Sequence, residues 1–130
     1  MKNSDTSVKR ILVVEDEPAI CEICLKVLNG EGFEVDIVGN GKLAEDRLRE
    51  REYDLIYIDI RTPIMNGKEL YQYIVDRVPK MTNRVIFTTG DVMARNIHTF
   101  LEQTGRPFMP KPFTPGELRN IVRETLRKIE

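Results

Sequence analysis

"DLIYIDIRTP", residues 54–63, is the stretch whose reading decides the fold. Four apolar, strand-forming residues, Leu55 to Ile58, end on a bare carboxylate, Asp59, with Arg61 two positions beyond. Aspartate often closes a strand because it favours turns. A run this apolar, without polar alternation, suits a strand covered on both faces. Comparable runs stand on either side of it: "RILVVE" at 10–15, "FEVDIV" at 33–38, "RVIFTT" at 84–89 and the shorter "PFMP" at 107–110.

Amphipathic stretches of helical length separate these runs, at about 18–29, 41–51, 67–78, 93–104 and 115–129. The last opens on Thr114, Pro115 and Glu117, which read as N-cap, first-turn proline and capping-box glutamate. Leu118, Ile121, Val122 and Ile129 form its apolar stripe, and Gly32 and Gly105 stand where helices should end. Strict strand–helix alternation predicts a parallel sheet with helices on both faces, a doubly wound α/β fold of five strand–helix pairs.

A length of 130 residues suits one ordinary domain, read as residues 9–130 after a disordered segment at 1–8. Twenty basic and 21 acidic residues leave a net charge of -1, which gives no long-range attraction for nucleic acid or an anionic membrane. No apolar run approaches the ~20 residues of a membrane span, and "MKNSDTSVKR" lacks a signal-peptide core. The expected setting is cytoplasmic, with neither nucleic acid nor membrane as a direct partner.

Cys21 and Cys24 form a C-x-x-C, but they share a helical face with Ile20, Ile23, Val27 and Leu28. No second cysteine pair or histidine cluster completes a zinc site, so they read as small core-side residues. His98, the only histidine, lies in a helix and reads as a surface residue rather than a phosphocarrier. Met93, Phe100 and Leu101 read as core or surface, not as a ligand box.

In doubly wound sheets, ligands bind beyond the carboxyl ends of the strands, where the strand order reverses. The residues just past the strands therefore matter: Glu15 and Asp16, Asp59, Thr89 with Gly90, and Lys111. If the first and third strands are neighbours, three carboxylates crowd together. A pair about 4.5 Å apart repels by roughly 3 to 4 kcal/mol at an effective dielectric near 20. Mg2+ answers that repulsion in an all-oxygen site, and with Lys111 the formal charges balance. Asp59 is then a nucleophile that needs no general base. Metal and Lys111 would neutralise the oxygens of a phosphoryl group, the Thr89 hydroxyl would bond one, and Gly90 would leave the donor a path.

With "ILVVEDEP", "LIYIDIRTPIMNG", "VIFTTGD" and "FMPKPF" in this order, nearly the whole chain resembles the response regulator receiver family. The resemblance implies a flavodoxin-like sheet of order 2-1-3-4-5. It implies Asp59 as phosphoacceptor, Asp16 and Asp59 as direct metal ligands, Glu15 as a ligand through water, and the Arg61 carbonyl as a further ligand. Thr89 and Lys111 take the switch-hydroxyl and lysine roles, and the Lys111–Pro112 bond is expected cis. The donor would be a sensor histidine kinase or histidine phosphotransfer protein. Phosphorylation would turn Thr89 inward and rotate the aromatic side chain of Phe108. That would remodel the surface of the fourth helix, fifth strand and fifth helix, to be read by a partner or by self-association as a homodimer. Such a chain is a switch and not an enzyme with an external substrate.

Departures from the family pattern are specific. Phe108 lacks the hydroxyl of the tyrosine many members carry, so a swing is expected without its hydrogen bond. Thr62 replaces a frequent methionine and reads as a neutral packing change. Arg61 and Asp91 are expected to pair across the site and to restrict the water that hydrolyses the acyl phosphate. A haloacid-dehalogenase-like phosphatase would need an aspartate where Arg61 stands, and turnover of a small phosphate ester would reveal one. The other alternative is a phosphorylation-independent interaction module of the same fold. The ending "FLEQTGRPFMPKPFTPGELRNIVRETL" is similar to receivers fused to hybrid histidine kinases, and a stand-alone regulator fits equally.

Overall fold

A computed structural model describes residues 8–91 and 93–129. The elements are β1 (Arg10–Val14), α1 (Pro18–Gly30), β2 (Glu34–Val38), α2 (Gly41–Glu50), β3 (Leu55–Asp59) and α3 (Gly67–Arg77). A 3-10 helix (Pro79–Arg84) precedes β4 (Val85–Thr89), α4 (Arg95–Thr104), β5 (Phe108–Pro110) and α5 (Pro115–Ile129). The strands form one parallel sheet in the order β2-β1-β3-β4-β5, the order expected. Of the segment expected to be disordered, residues 1–7 lie outside the described residues, and Val8 is exposed.

The period-two alternation of β3 divides the interior. Ile56 and Ile58 join Leu12, Val14 and Phe87 beneath α2, α3 and α4, against Leu48, Leu70, Ile74 and Leu101. Leu55 and Tyr57 join Ile11, Val13 and Ile86 beneath α1 and α5, against Cys24, Leu28, Leu118 and Val122. Each fully buried aliphatic side chain contributes roughly 1.5 to 3 kcal/mol. Continued one step further, the same alternation sends Glu15 and Asp59 toward the α1 and α5 side of the carboxyl edge.

Helix boundaries follow their caps. The Thr114 hydroxyl accepts from the Glu117 N–H at 3.1 Å, and the Glu117 carboxylate accepts from the Thr114 N–H at 2.8 Å. Asn66 and Glu69 form a second capping box at α3, and the Asn40 side chain caps α2. α4 begins at Arg95 rather than near 93, and its N-cap, Ala94, has no side chain able to set a sharp start. Gly105 ends α4 with φ +66°, the left-handed region that glycine enters without steric cost. The 3-10 helix is not anticipated by the sequence reading. It begins at Pro79, which cannot continue α3, and it buries Met81.

Two close approaches hold the loop that follows β3. A side chain at Gly41 would meet the Met65 carbonyl oxygen at 2.1 Å, and one at Gly67 the Ile60 Cα at 2.6 Å. Instead the Gly41 N–H donates to the Met65 carbonyl at 3.0 Å and the Gly67 N–H to the Ile60 carbonyl at 2.9 Å. Thr62 is not the neutral packing change expected. It is buried, and its hydroxyl donates to the same Met65 carbonyl at 3.2 Å, a bond methionine cannot make.

Both cysteines are free. Cys24 is buried, and burial pushes its thiol up to about 12, consistent with an inert core residue. Among the described residues, no helix is long and apolar enough to cross a membrane.

Candidate functional site

At the carboxyl edge a cleft of about 480 Å3 is lined by Asp16, Glu17, Asp59, Arg61, Gly90, Asp91 and Lys111. Neighbouring strands β1, β3 and β4 end here, and the loop after β5 reaches over them. The Lys111 N–H donates to the Thr89 carbonyl at 2.9 Å, and the lysine side chain reaches the ends of β1 and β3; the Lys111–Pro112 peptide is cis, as expected.

The Lys111 ammonium meets three carboxylates, Glu17 at 2.6 Å, Asp59 at 2.9 Å and Glu15 at 3.0 Å. An ammonium has three donors, so all are engaged. Asp59 is almost wholly buried, and its second oxygen, Oδ1, accepts from the Arg61 N–H at 3.0 Å. Glu15 is buried as well. Tyr57 donates its hydroxyl to Glu15 Oε1 at 2.8 Å, and the Glu17 N–H donates to Oε2 at 3.2 Å.

Magnitudes show how far one lysine goes. Glu15, Glu17 and Asp59 offer oxygens within 4.8 Å of one another. At an effective dielectric near 20, the attraction of Asp59 to Lys111 is about 6 kcal/mol, while its two repulsions total about 7 kcal/mol or more. With Asp16 and Asp91 included, five carboxylates face two cations, Arg61 and Lys111, an excess of three negative charges. Burial raises the Glu15 carboxyl, against the lowering effect of its bond from Tyr57. Burial alone would lower the Lys111 ammonium, but its bonds to Glu17, Asp59 and Glu15 outweigh that and raise it, so it stays charged at neutral pH.

Asp16 is exposed at the mouth of the cleft and lies outside the close oxygen cluster, where Glu17 stands in its place. This departs from the expected crowding of Asp16, Glu15 and Asp59: strand alternation takes Glu15 inward and leaves Asp16 at the mouth. Thr89 is fully buried, and its hydroxyl accepts from the Asp91 N–H at 3.1 Å, behind the cleft wall. Gly90 lines the cleft, and a Cβ there would touch only the Lys111 Cβ at 3.9 Å.

Arg61 and Asp91 form an ion pair of 2.7 Å across the rim. The same two residues line a second cavity of about 300 Å3 with Thr62, Asn66, Asn96 and Ile97, so their pair is a partition between the two spaces. Phe108 lies away from the cleft, 42% exposed, on a groove of about 840 Å3 between β5 and α5. That groove is the larger cavity, but among the described residues it holds no cluster of buried carboxylates around a lysine. His98 is exposed on α4 beside Glu102, Leu101 is core, Phe100 packs against core, and Met93 is exposed.

Two residues escaped the sequence reading, Glu17 and Tyr57. Tyr57 precedes Asp59 by two positions and so shares its face, a signal the alternation carried. Glu17 relates in the same way to Glu15, but beyond the strand the alternation no longer applies.

The chain matches the family described as "Response regulator receiver domain" over residues 11–123. It is 36% identical over 128 residues to the DNA-binding response regulator MtrA of Mycolicibacterium smegmatis, covering 97% of this chain and 54% of that protein. The chain thus spans about half the length of the MtrA relatives it matches. Among solved structures, the CheY-like receiver domain protein from Methanospirillum hungatei JF-1 superposes with a TM-score of 0.85 at 29% identity, over 94% of this chain and 96% of that one. The receiver domain of sensor histidine kinase PA1611 from Pseudomonas aeruginosa PAO1 shares the fold at 24% identity, with a TM-score of 0.83 over 93% and 99%. That domain coordinates a magnesium ion in its active site cleft.

Proposed function

The chain belongs to the response regulator receiver family, and on that premise we propose that Asp59 accepts a phosphoryl group from a phosphohistidine. The donor is a sensor histidine kinase or a histidine phosphotransfer protein. An Asp59 carboxylate oxygen attacks phosphorus; the new P–O bond forms as the P–N bond breaks, and the departing imidazole nitrogen keeps the electron pair. The observation that carries this reading is the Lys111 ammonium 2.9 Å from Asp59, in a cleft with more negative charge than it can neutralise.

The donor set in the cleft is all oxygen, which fits a hard divalent cation. Asp16 and Asp59 would hold Mg2+ together with the Arg61 carbonyl, with Glu15 reaching it through water. Bound there, the ion supplies charge neutralisation to the phosphoryl oxygens. The magnesium ion in the active site cleft of the Pseudomonas domain supports an ion in this cleft.

Lys111 neutralises the incoming oxygens from the β5 side by giving up one of its three carboxylates. The Thr89 hydroxyl leaves the Asp91 N–H and bonds a phosphoryl oxygen. That loosens the loop before α4, and Phe108 turns in from its exposed position. The altered surface of α4, β5 and α5 is what a partner, or a second copy, reads. Arg61 and Asp91 narrow the approach of water to the acyl phosphate. The chain itself is a switch, with no external substrate to turn over.

Beryllofluoride, a mimic of the bound phosphoryl group, tests this reading. With Mg2+ it should shift the amide resonances of Thr89, Gly90 and Phe108, and Asp59→Asn should abolish the shifts. Unchanged spectra in the native protein would contradict the reading.

A further inference from the structure

We infer that Tyr57 is a positioning residue for phosphoryl transfer: by holding Glu15, it leaves Lys111 available to the phosphoryl group on Asp59. The inference rests on the reading of Asp59 as phosphoacceptor.

Lys111 spends its three donors on Glu15, Glu17 and Asp59. To meet a phosphoryl oxygen it must release one of them. Glu17 is 59% exposed and can turn to water, so its bond gives way readily, and the bond able to restrain the lysine is the one to Glu15. Glu15 is buried and has no such recourse. A buried carboxylate short of donors holds an ammonium tightly, because nothing else offsets its lost hydration. Tyr57 prevents this. Its hydroxyl is fixed by the fully buried strand β3, points to Glu15 at 2.8 Å and is joined there by the Glu17 N–H at 3.2 Å.

Each Glu15 oxygen therefore has a donor besides Lys111. The ring is fixed in turn by an edge contact with Phe113, which follows Lys111 by two residues. The arrangement links the two segments that present the nucleophile and the cation. Tyr57 touches neither reacting atoms nor substrate and acts through the bond to Glu15.

The test compares native protein with Tyr57→Phe, using acetyl phosphate with saturating Mg2+ and following intact mass against time over a range of donor concentrations. Tyr57→Phe should stay folded by thermal melting, with a maximal rate of modification about tenfold lower. Half-saturation by the donor should move by less than about twofold, because Lys111 acts on developing charge. In a Glu15→Gln background the effect of Tyr57→Phe should shrink to less than about twofold.

If Tyr57→Phe does not fold, 4-aminophenylalanine at position 57, which keeps a donor, should modify about tenfold faster than 4-methylphenylalanine, which fills the same volume without one. Equal maximal rates for native and Tyr57→Phe protein, or for the two substituted phenylalanines, would overturn the inference. An undiminished effect in the Glu15→Gln background would do the same. Failure of the native protein to take any phosphoryl group would overturn the functional reading itself, and this inference with it.

Discussion

The two ends of the sheet treat charge in opposite ways. At the amino end, Arg10 pairs with Glu34 at 3.1 Å, Arg84 with Asp54 at 3.7 Å, and Asp54 also accepts from the Arg10 N–H at 2.8 Å. Arg106, ahead of β5, spends its guanidinium on the carbonyls of Val85 and Asn83 at 3.0 and 2.8 Å. Each of these carboxylates has its cation nearby. At the carboxyl end, three carboxylates share one lysine, and the electrostatics of Asp59 come out near balance or slightly repulsive. One end spends its charges on closing the fold, while the other leaves negative charge unneutralised, which is what the proposed binding of a cation and a phosphoryl group requires. Functional sites commonly carry such unrelieved interactions at the expense of stability.

The contrast makes predictions that can break it, and the largest concerns rate. Lys111→Ala should lower the rate of acetyl-phosphate modification by about a hundredfold or more, as for loss of a group that meets developing charge. Arg84→Ala at the other end should leave that rate within about twofold. A similar loss in both variants would mean that Lys111 acts through folding rather than chemistry.

Next in size is the rim. Arg61→Ala should shorten the phosphorylated lifetime several-fold, on the order of 1 kcal/mol in barrier, with thermal stability within about 0.5 kcal/mol because the pair is exposed. An unchanged lifetime would reduce the Arg61–Asp91 pair to a solvated contact.

Stability should separate the ends by sign. Asp59→Asn removes a carboxylate whose repulsions match or exceed its attraction, and should stabilise the apo protein by about 1 kcal/mol. Asp54→Asn removes a paired carboxylate and should destabilise it by about 0.5 to 1 kcal/mol. Urea denaturation of both variants in the absence of divalent cation reads this directly; the same sign for both would erase the comparison.

A last expected effect lies far from the cleft and shows only at alkaline pH. Burial, and then its bond to Asp36 at 2.5 Å, raise the Tyr53 hydroxyl to about 12 from an ordinary value near 10. Between these values the unfolded chain has lost this proton and the folded chain retains it, so the contribution is complete below about pH 10 and is lost as pH rises through about 12. Tyr53→Phe should flatten that part of the alkaline stability profile, and an unaltered slope would remove Tyr53 from it.

What the sequence made legible depended on distance along the chain. The strands, most helix boundaries and the capping box at Thr114 are local patterns, and the structure has them within a residue or two. The convergence of Asp59 and Lys111 was legible because a parallel sheet places strand ends on one edge. The bonds that sort the carboxylates were not. Glu17 in the cluster, Tyr57 on Glu15 and the Thr62 hydroxyl on Met65 depend on side-chain reach between separate segments or within an irregular loop. No period announces such contacts. The start of α4, two residues later than read, is the least sharply marked of these boundaries, because Ala94 offers no capping oxygen.

The measurement that tests the central claim most directly is intact-protein mass after incubation with acetyl phosphate and Mg2+, for the native chain and Asp59→Ala. The account predicts a single phosphoryl adduct on the native protein that disappears with Asp59→Ala or when the metal is chelated. A native protein that gains no adduct, or an Asp59→Ala variant that still gains one, would contradict it; the first result, with no binding of beryllofluoride, would leave a fold that works by docking alone.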